Sequence, residues 1–309
     1  MREPSQPSTS NNSHLFERPD ACRVCGSTNL EQSYSLESYN LVACRDCGTQ
    51  FNETYYVNQR FRDGLFEKGY YDSVQSQAFK NRLDEYQNDP SVKVYDRYLH
   101  IVEDKLGVKP GNVLDVGSAF GTFLKVASNR GWKPHGVEYS KFSCSAAREH
   151  WGFEIFNGDI TMSPYQKGQF DLITYWDVIE HVIDPRANLE KANALLREGG
   201  KLLITTDNYQ SMLSAIANMA YQITFGRVKY PIQKFYIPHN TYYFTPKNFK
   251  MLLEATGFKP VFFEKLDYPI DKLDVSGLEK KIVRVLYAIG DVINMNTQFM
   301  FIAEKEWSR

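Results

Sequence analysis

The chain has 309 residues, with 36 Lys and Arg against 37 Asp and Glu and a formal charge of −1. That balance excludes the strongly basic footprint of a nucleic-acid-binding domain, and no apolar run reaches the roughly 20 residues needed to cross a bilayer. An apolar share of 42% with 14% aromatic residues is that of a globular chain, long enough for one large α/β domain and a smaller module.

Residues 1–18, with Ser, Asn and Pro prominent, read as a flexible leader, and they lack the basic-then-apolar layout of a signal peptide. Cys22-x-x-Cys25-Gly26 and Cys44-x-x-Cys47-Gly48 follow, separated by eighteen residues. This is zinc-ribbon spacing: two Gly-closed knuckles deliver four thiolates to one structural ion, with no open position for catalysis. The stretch between the pairs is too short for a core of its own, so metal would supply much of its folding free energy. Disulfides or a redox pair are the competing readings; four of five cysteines in close pairs fit a reducing cytoplasm better.

A zinc ribbon is therefore expected over 19–50, and a connecting segment over 51–90 carries Tyr55, Tyr56, Phe61, Phe66, Tyr70 and Tyr71. From 91 to 309 a larger domain is expected. Ser91 to Leu106 has helical periodicity, and Val113 to Val116 is a short buried strand. It runs into the small-residue turn Gly117-Ser118-Ala119-Phe120-Gly121, where a ligand can approach the backbone. The turn lacks the Lys-Ser/Thr of a P-loop and the Gly-x-Gly-x-x-Gly of a dinucleotide site.

The helix after Leu124 stops near Gly131, and a second strand ends at Glu138, 23 residues after Asp115. An acid there can accept the two hydroxyls of a ribose, or it is a solvated strand end. A helix from Phe142 to His150 and a strand at 153–156 precede Gly158-Asp159-Ile160. Phe170 to Asp177 is a fourth strand, Pro185 to Leu196 a helix, and Lys201 to Thr206 a fifth strand. Alternation of this kind predicts a doubly wound, mostly parallel sheet, which a last strand at about Thr297 to Ala303 closes.

Taken together, Leu114-Asp115-Val116-Gly117-Ser118-Ala119-Phe120-Gly121, Val137-Glu138, Gly158-Asp159-Ile160 and Asp177 to Pro185 resemble the class I S-adenosylmethionine-dependent methyltransferases. So do Leu196 to Leu202, Pro238 to Thr245 and Leu252 to Phe258, in that family's order. More narrowly, the chain looks like the branch with an N-terminal zinc ribbon found beside sugar and surface-glycan biosynthesis. The resemblance implies a seven-stranded Rossmann-like methyltransferase sheet with S-adenosyl-L-methionine as cofactor and zinc as a structural ion. It implies that Asp115, Gly117, Ser118, Ala119 and Gly121 cradle the methionine part. It places the ribose on Glu138, the adenine on Asp159 and Ile160, and the reaction site beside Asp177. The family has Cys-Gly or Gly-Gly where this chain has Ser118-Ala119, so a methyl group narrows the turn.

A hydroxyl acceptor needs a base with a pKa near neutrality, and His181 and His239 are the candidates. His181 follows Asp177 by four residues, so the two share a face if that segment is helical. Both imidazoles have an alternative as helix-packing or loop-structuring groups. Thr245 and Pro246 start the next helix, which ends at Gly257.

Helical insertions are expected near 207–235 and 267–296, as lids or core-facing helices, with a membrane-facing surface as the sharper alternative. The expected function is methyl transfer to a small-molecule or glycan-type acceptor, sugar-containing or lipid-linked molecules among them, with O-methylation expected and C- or N-methylation as alternatives. An RNA- or protein-modifying enzyme using the ribbon for recognition is the alternative, and a non-catalytic cofactor-binding subunit the third. Only Arg23 and Arg45 lie beside the cysteines, and no Asn-Pro-Pro-Tyr motif follows the fourth strand, where Trp176-Asp177-Val178 stands.

Overall fold

Apolar strand runs interleaved with amphipathic helices bury most surface as a sheet covered on both faces, and the chain folds that way. The structure is a computed structural model that describes residues 19–36, 39–53, 86–237, 239–268, 270 and 277–306. The leader 1–18 and the aromatic connecting residues named above lie outside the described residues.

The ribbon opens the chain with β1 (Leu30–Ser35), β2 (Asn40–Cys44) and β3 (Gln50–Asn52). Helix α1 (Pro90–His100), capped by Asp89, runs through a π-turn over Ile101–Lys105 and leads to β4 (Asn112–Val116). Then come α2 (Thr122–Asn129), β5 (Lys133–Glu138), α3 (Lys141–Trp151), β6 (Ile155–Asn157) and β7 (Phe170–Trp176). Helix α4 (Pro185–Leu195) is followed by β8 (Leu196–Asp207), α5 (Met212–Ile223), α6 (Tyr230–Phe235) and β9 (Tyr242–Tyr243). The chain finishes with α7 (Pro246–Ala255), β10 (Phe258–Leu266), α8 (Gly277–Val292) and β11 (Gln298–Lys305).

The main sheet has seven strands in the order β10-β11-β8-β7-β4-β5-β6. Neighbours from β8 to β6 pair in parallel, while β11 is antiparallel to both β8 and β10. This is the seven-stranded, doubly wound, mostly parallel sheet that the resemblance implies. Strand order reverses between β4 and β7, so the crevice at their carboxyl ends is where such a sheet takes a ligand.

Three readings of the sequence change. Strand β10 has no counterpart among the expected strands, although Phe258, Pro260 and Phe262 alternate with more exposed neighbours along it. Strand β8 begins at Leu196 rather than Lys201, because Gly199 and Gly200 sit in a register shift against β7 and do not end it. The insertion helices form, but α5 buries Ser214 and Ala217 while Ile216, Met219 and Ile223 are exposed, so it is not core-facing by its apolar positions.

Strand β9 joins the ribbon instead of the main sheet. The ribbon sheet runs β1-β2-β3-β9, with Phe51 opposite Tyr242. Cys22, Val24, Cys44 and Phe51 pack in one apolar cluster with Phe244, Phe249 and Phe301 of the larger domain. Arg186 at the start of α4 donates to the carbonyl oxygens of Val24 at 2.6 Å and Arg23 at 3.2 Å. A second cluster joins Leu36, Tyr39 and Leu41 to Tyr209, Ile232 and Tyr236 beneath α6. The ribbon and the domain therefore share their cores.

Candidate functional site

The turn after β4 hangs on the end of β5. Backbone N–H groups of Gly117 and Ser118 donate to the Val137 carbonyl at 2.8 and 3.1 Å. The Ala119 N–H donates to Glu138 Oε2 at 2.8 Å, and the Ser140 N–H to Glu138 Oε1 at 2.7 Å. Burial pushes the Glu138 carboxyl up, partly offset by these backbone donors. Each carboxylate oxygen keeps acceptor capacity for a further donor. Gly117 has φ +73°, and a Cβ there would come within 2.4 Å of Val178 Cγ2, so no other residue fits. Helix α2 starts at Gly121, which has no side chain to cap it, so its first N–H groups face the crevice.

Asp115 takes a different place from the expected one. It is 2% exposed and accepts the Thr174 hydroxyl at 2.7 Å, tying β4 to β7 beneath the turn. Burial holds its carboxyl well above the usual carboxylate range. It supports the cradle without lining it. Asp159 caps the short 3₁₀ turn Ile160–Met162 by accepting from Thr161, and Ile160 is buried against β7 in the main core.

Ala119 stands in the left-handed region at φ +44°. A non-Gly residue there is strained by about 1 kcal/mol. Ala119→Gly relieves that strain and opens the turn, so affinity for S-adenosylmethionine should hold or tighten up to about fivefold. Titration calorimetry checks this, and a clear loss of affinity means the turn does not face the cofactor.

Residues 177–182 form a turn and not a helix, so Asp177 and His181 do not share a helical face. The left-handed backbone of Asp177 (φ +55°) and the His181 N–H to Val178 carbonyl bond at 2.9 Å close a single turn, and α4 waits for its Asp184 cap. Asp177 is nevertheless held at the crevice: Oδ1 accepts from Thr205 Oγ1 at 3.0 Å and from Gln298 Nε2 at 3.1 Å.

His181 and His239 come together, with ring centroids 5.7 Å apart and His181 Nδ1 3.2 Å from the His239 carbonyl. The Thr241 hydroxyl donates to the His181 carbonyl at 3.2 Å. This fixes the 239–241 loop on the turn after β7. Desolvation lowers the His239 pKa, which favours its neutral imidazole.

Two carboxyls absent from the expected site stand beside this loop. Glu180 is buried, accepts the Thr206 hydroxyl at 2.9 Å, and is raised by burial and by Asp177 and Asp207. Asp207, at the carboxyl end of β8, is pushed up to about 7 by burial and by Asp177. Asn240 Nδ2 reaches Asp207 Oδ2 at 3.5 Å and the Tyr209 hydroxyl at 2.9 Å. The signal available in the sequence was Asp207 at the end of a buried strand, next to the insertion.

A cleft of about 190 Å³ opens between the α1 N-terminus and this edge, lined by Tyr95, Trp176, Asp177, Thr205, Tyr268 and Gln298. The Trp176 indole N–H on its wall and the Ser118 hydroxyl behind the turn are buried without a partner among the described residues. Orphaned polar groups on both sides of the β4–β7 switch point fit a bound polar cofactor.

The four cysteine sulfurs lie within 4.8 Å of one another, with Cys22 to Cys47 at 3.6 Å and Cys25 to Cys44 at 3.5 Å. Tetrahedral zinc with bonds of about 2.3 Å requires sulfurs about 3.8 Å apart, so the set fits that ion. Gly26 (φ +78°) and Gly48 (φ +74°) make equivalent knuckles, each N–H donating at 2.8 Å to the carbonyl of the first cysteine of its pair.

A family model described as "Methyltransferase domain" matches residues 84–261. Among curated proteins, the ubiquinone biosynthesis O-methyltransferase of Coxiella burnetii is 29% identical over 130 residues, covering 40% of this chain and 56% of that protein. The protein of the same name from Pseudomonas paraeruginosa is 28% identical over 113 residues, covering 35% of this chain and 49% of that one. The chain thus spans about half the length of these relatives. A chain in the complex between the Haloferax volcanii Trm112 methyltransferase activator and a methyltransferase superposes with a TM-score of 0.50. It is 14% identical, and the match covers 77% of this chain and 99% of that one, a likeness of fold alone. With the family model matched over more than half its length, the chain belongs to the methyltransferase-domain family.

Proposed function

We propose that this protein is an S-adenosylmethionine-dependent methyltransferase that methylates a hydroxyl of a small-molecule acceptor. The observation that carries the reading is the β4–β5 cradle, where Glu138 holds the Ala119 N–H beside an uncapped helix start. In this reading Gly117, Ser118, Ala119 and Gly121 bind the methionine part, Glu138 the ribose, and Asp159 with Ile160 the adenine. Asp115 anchors the cradle from below. Asp177 borders the transferred methyl group, and Cys22, Cys25, Cys44 and Cys47 hold structural zinc.

When bound, the cofactor supplies a methyl group on a sulfonium, and the protein must align an acceptor oxygen with it and take one proton. His239 is the proposed base. Its half-buried imidazole, with a pKa lowered by desolvation, can accept a proton at neutral pH, and His181 positions its loop. Asp207 is a second reading, favoured by a carboxyl raised to about 7 at the same edge. The cleft beside Trp176 and Asp177 is the acceptor's approach, and a sugar-containing or lipid-linked molecule is within this proposal. O-methylation is the name of the curated relatives' activity, which supports the choice of atom.

The test is transfer of a labelled methyl group from the cofactor to a panel of hydroxylated small molecules, beside transfer RNA and protein substrates. Label in a small molecule supports the proposal. Label confined to RNA or protein overturns the acceptor class, and cofactor binding without transfer to any of them overturns the enzymatic reading.

A further inference from the structure

Helices α5 and α8 abut where Gly290 approaches Met212, and each turns an apolar stripe outward. On α8 the stripe is Leu278, Ile282, Val285, Ile289 and Val292, at helical spacing on one face, with Leu278 71% and Val292 86% exposed. Gly290, the buried residue of this helix, lies about 120° around from the stripe. On α5 the exposed residues are Ile216, Met219 and Ile223, and the turn after it exposes Phe225 to 92%. Tyr230 at the start of α6 is 64% exposed. A soluble domain scatters exposed apolar residues singly, whereas rows of them mark a surface that something covers.

Charge at this surface runs opposite to that of the chain. Residues 208–236 contain Arg227, Lys229 and Lys234 and no acid, and α8 carries Lys280, Lys281 and Arg284 against Glu279 and Asp291. The two segments are therefore net positive by four in a chain of net charge −1. On α8, Lys281 and Arg284 lie on one flank of the apolar stripe, with Asp291 at the end of that same flank. An apolar stripe bordered by basic residues, with aromatic residues at its corner, is the pattern of a helix lying in a lipid–water interface. No helix among the described residues is long and apolar enough to cross a membrane, so such contact is peripheral.

We infer that α5 and α8 form a docking surface for an anionic lipid bilayer. A second copy of the chain is the less fitting occupant, because a two-fold contact across the α8 stripe sets Lys281 and Arg284 of both copies against each other. Asp207 and Gln298 pair at the sheet edge from which α5 departs and to which α8 returns, so docking brings the proposed site's edge to the headgroup layer.

The experiment is sedimentation of the full chain with sucrose-loaded vesicles of phosphatidylcholine alone or with 30% phosphatidylglycerol. The expected result is binding at least about tenfold stronger to the anionic vesicles, weakening as salt is raised. The triple variant Lys280→Glu, Lys281→Glu, Arg284→Glu loses it, and Ile282→Ser with Val285→Ser weakens it on both vesicle types. Unchanged circular dichroism and cofactor binding show that the variants remain folded. No binding to anionic vesicles, or binding unaffected by the variants, overturns the inference. So does self-association in sedimentation equilibrium that the Ser variant abolishes, which assigns the surface to a second copy. None of these readouts depends on methyl transfer, so the inference stands or falls apart from the proposed activity.

Discussion

With zinc held by the four cysteines as proposed, removing it by chelation or by Cys44→Ser is expected to lower the melting temperature of the whole protein by about 10 °C or more. It also depresses methyl transfer more than cofactor affinity. The size follows from what zinc contributes: binding at such sites is folding free energy, on the order of 10 kcal/mol or more in isolated fingers. The breadth follows from the shared sheet. Strand β3 pairs with β9, the Asn52 N–H donates to the Thr241 carbonyl at 2.9 Å, and the Tyr236 hydroxyl donates to Gln50 at 2.7 Å. A loosened ribbon therefore releases the 239–241 loop, while the Gly117–Glu138 cradle lies on β4 and β5, which the ribbon does not pair with. Metal analysis, scanning calorimetry and separate kcat and cofactor Kd measurements check it. A protein that melts unchanged without metal, or lacks zinc when folded, refutes this account of the ribbon.

The pH dependence of kcat separates the two proposed bases. A base works in its deprotonated form, so the rate rises with pH through the pKa of the group that takes the proton. His239 is lowered below its ordinary value by burial, so with His239 as base the rate reaches its plateau at a lower pH than an ordinary imidazole gives, and shows no inflection near 7. With Asp207, which titrates at about 7, the rate at pH 6 is about a tenth of the plateau. His239→Gln is expected to cut kcat about 100-fold or more. Asp207→Asn is expected to remove any inflection near 7. Its raised carboxyl also means that ionisation costs the folded state stability as pH rises toward and past 7, so Asp207→Asn raises the melting temperature at pH 8 and changes little near pH 4. Full activity in both variants eliminates both groups as bases.

Local signals carried most of the sheet. Apolar runs such as Leu172–Ile173–Thr174–Tyr175 and breakers such as Gly131 and Gly152 depend on nearest neighbours, and the strand–helix order follows from them. The Thr245–Asn248 capping box and Pro246 likewise start α7 where their chemistry requires. What escaped depends on partners far apart in sequence. Asp115 looks like a cleft residue until Thr174 is seen to take it inward, and Asp207 is an ordinary strand end until burial beside Asp177 raises it. Tyr242 and Tyr243 have a strand's composition, but nothing in them says that their partner is Gln50–Phe51 of the ribbon. The apolar positions of α5 and α8 had the right period, yet periodicity does not say which side faces the core.

The pairing of β3 with β9 also constrains how the chain can be made. Phe51 leaves the ribosome about 190 residues before Tyr242, an interval on the order of 10–40 s at typical elongation rates. The cysteine knuckles are local and can capture zinc in that time, but Gln50–Asn52 remains an unpaired sheet edge until β9 arrives. If the ribbon holds zinc as proposed, early metal loading keeps the nascent N-terminal module from pairing wrongly, and synthesis under zinc starvation is expected to yield aggregated rather than merely inactive protein.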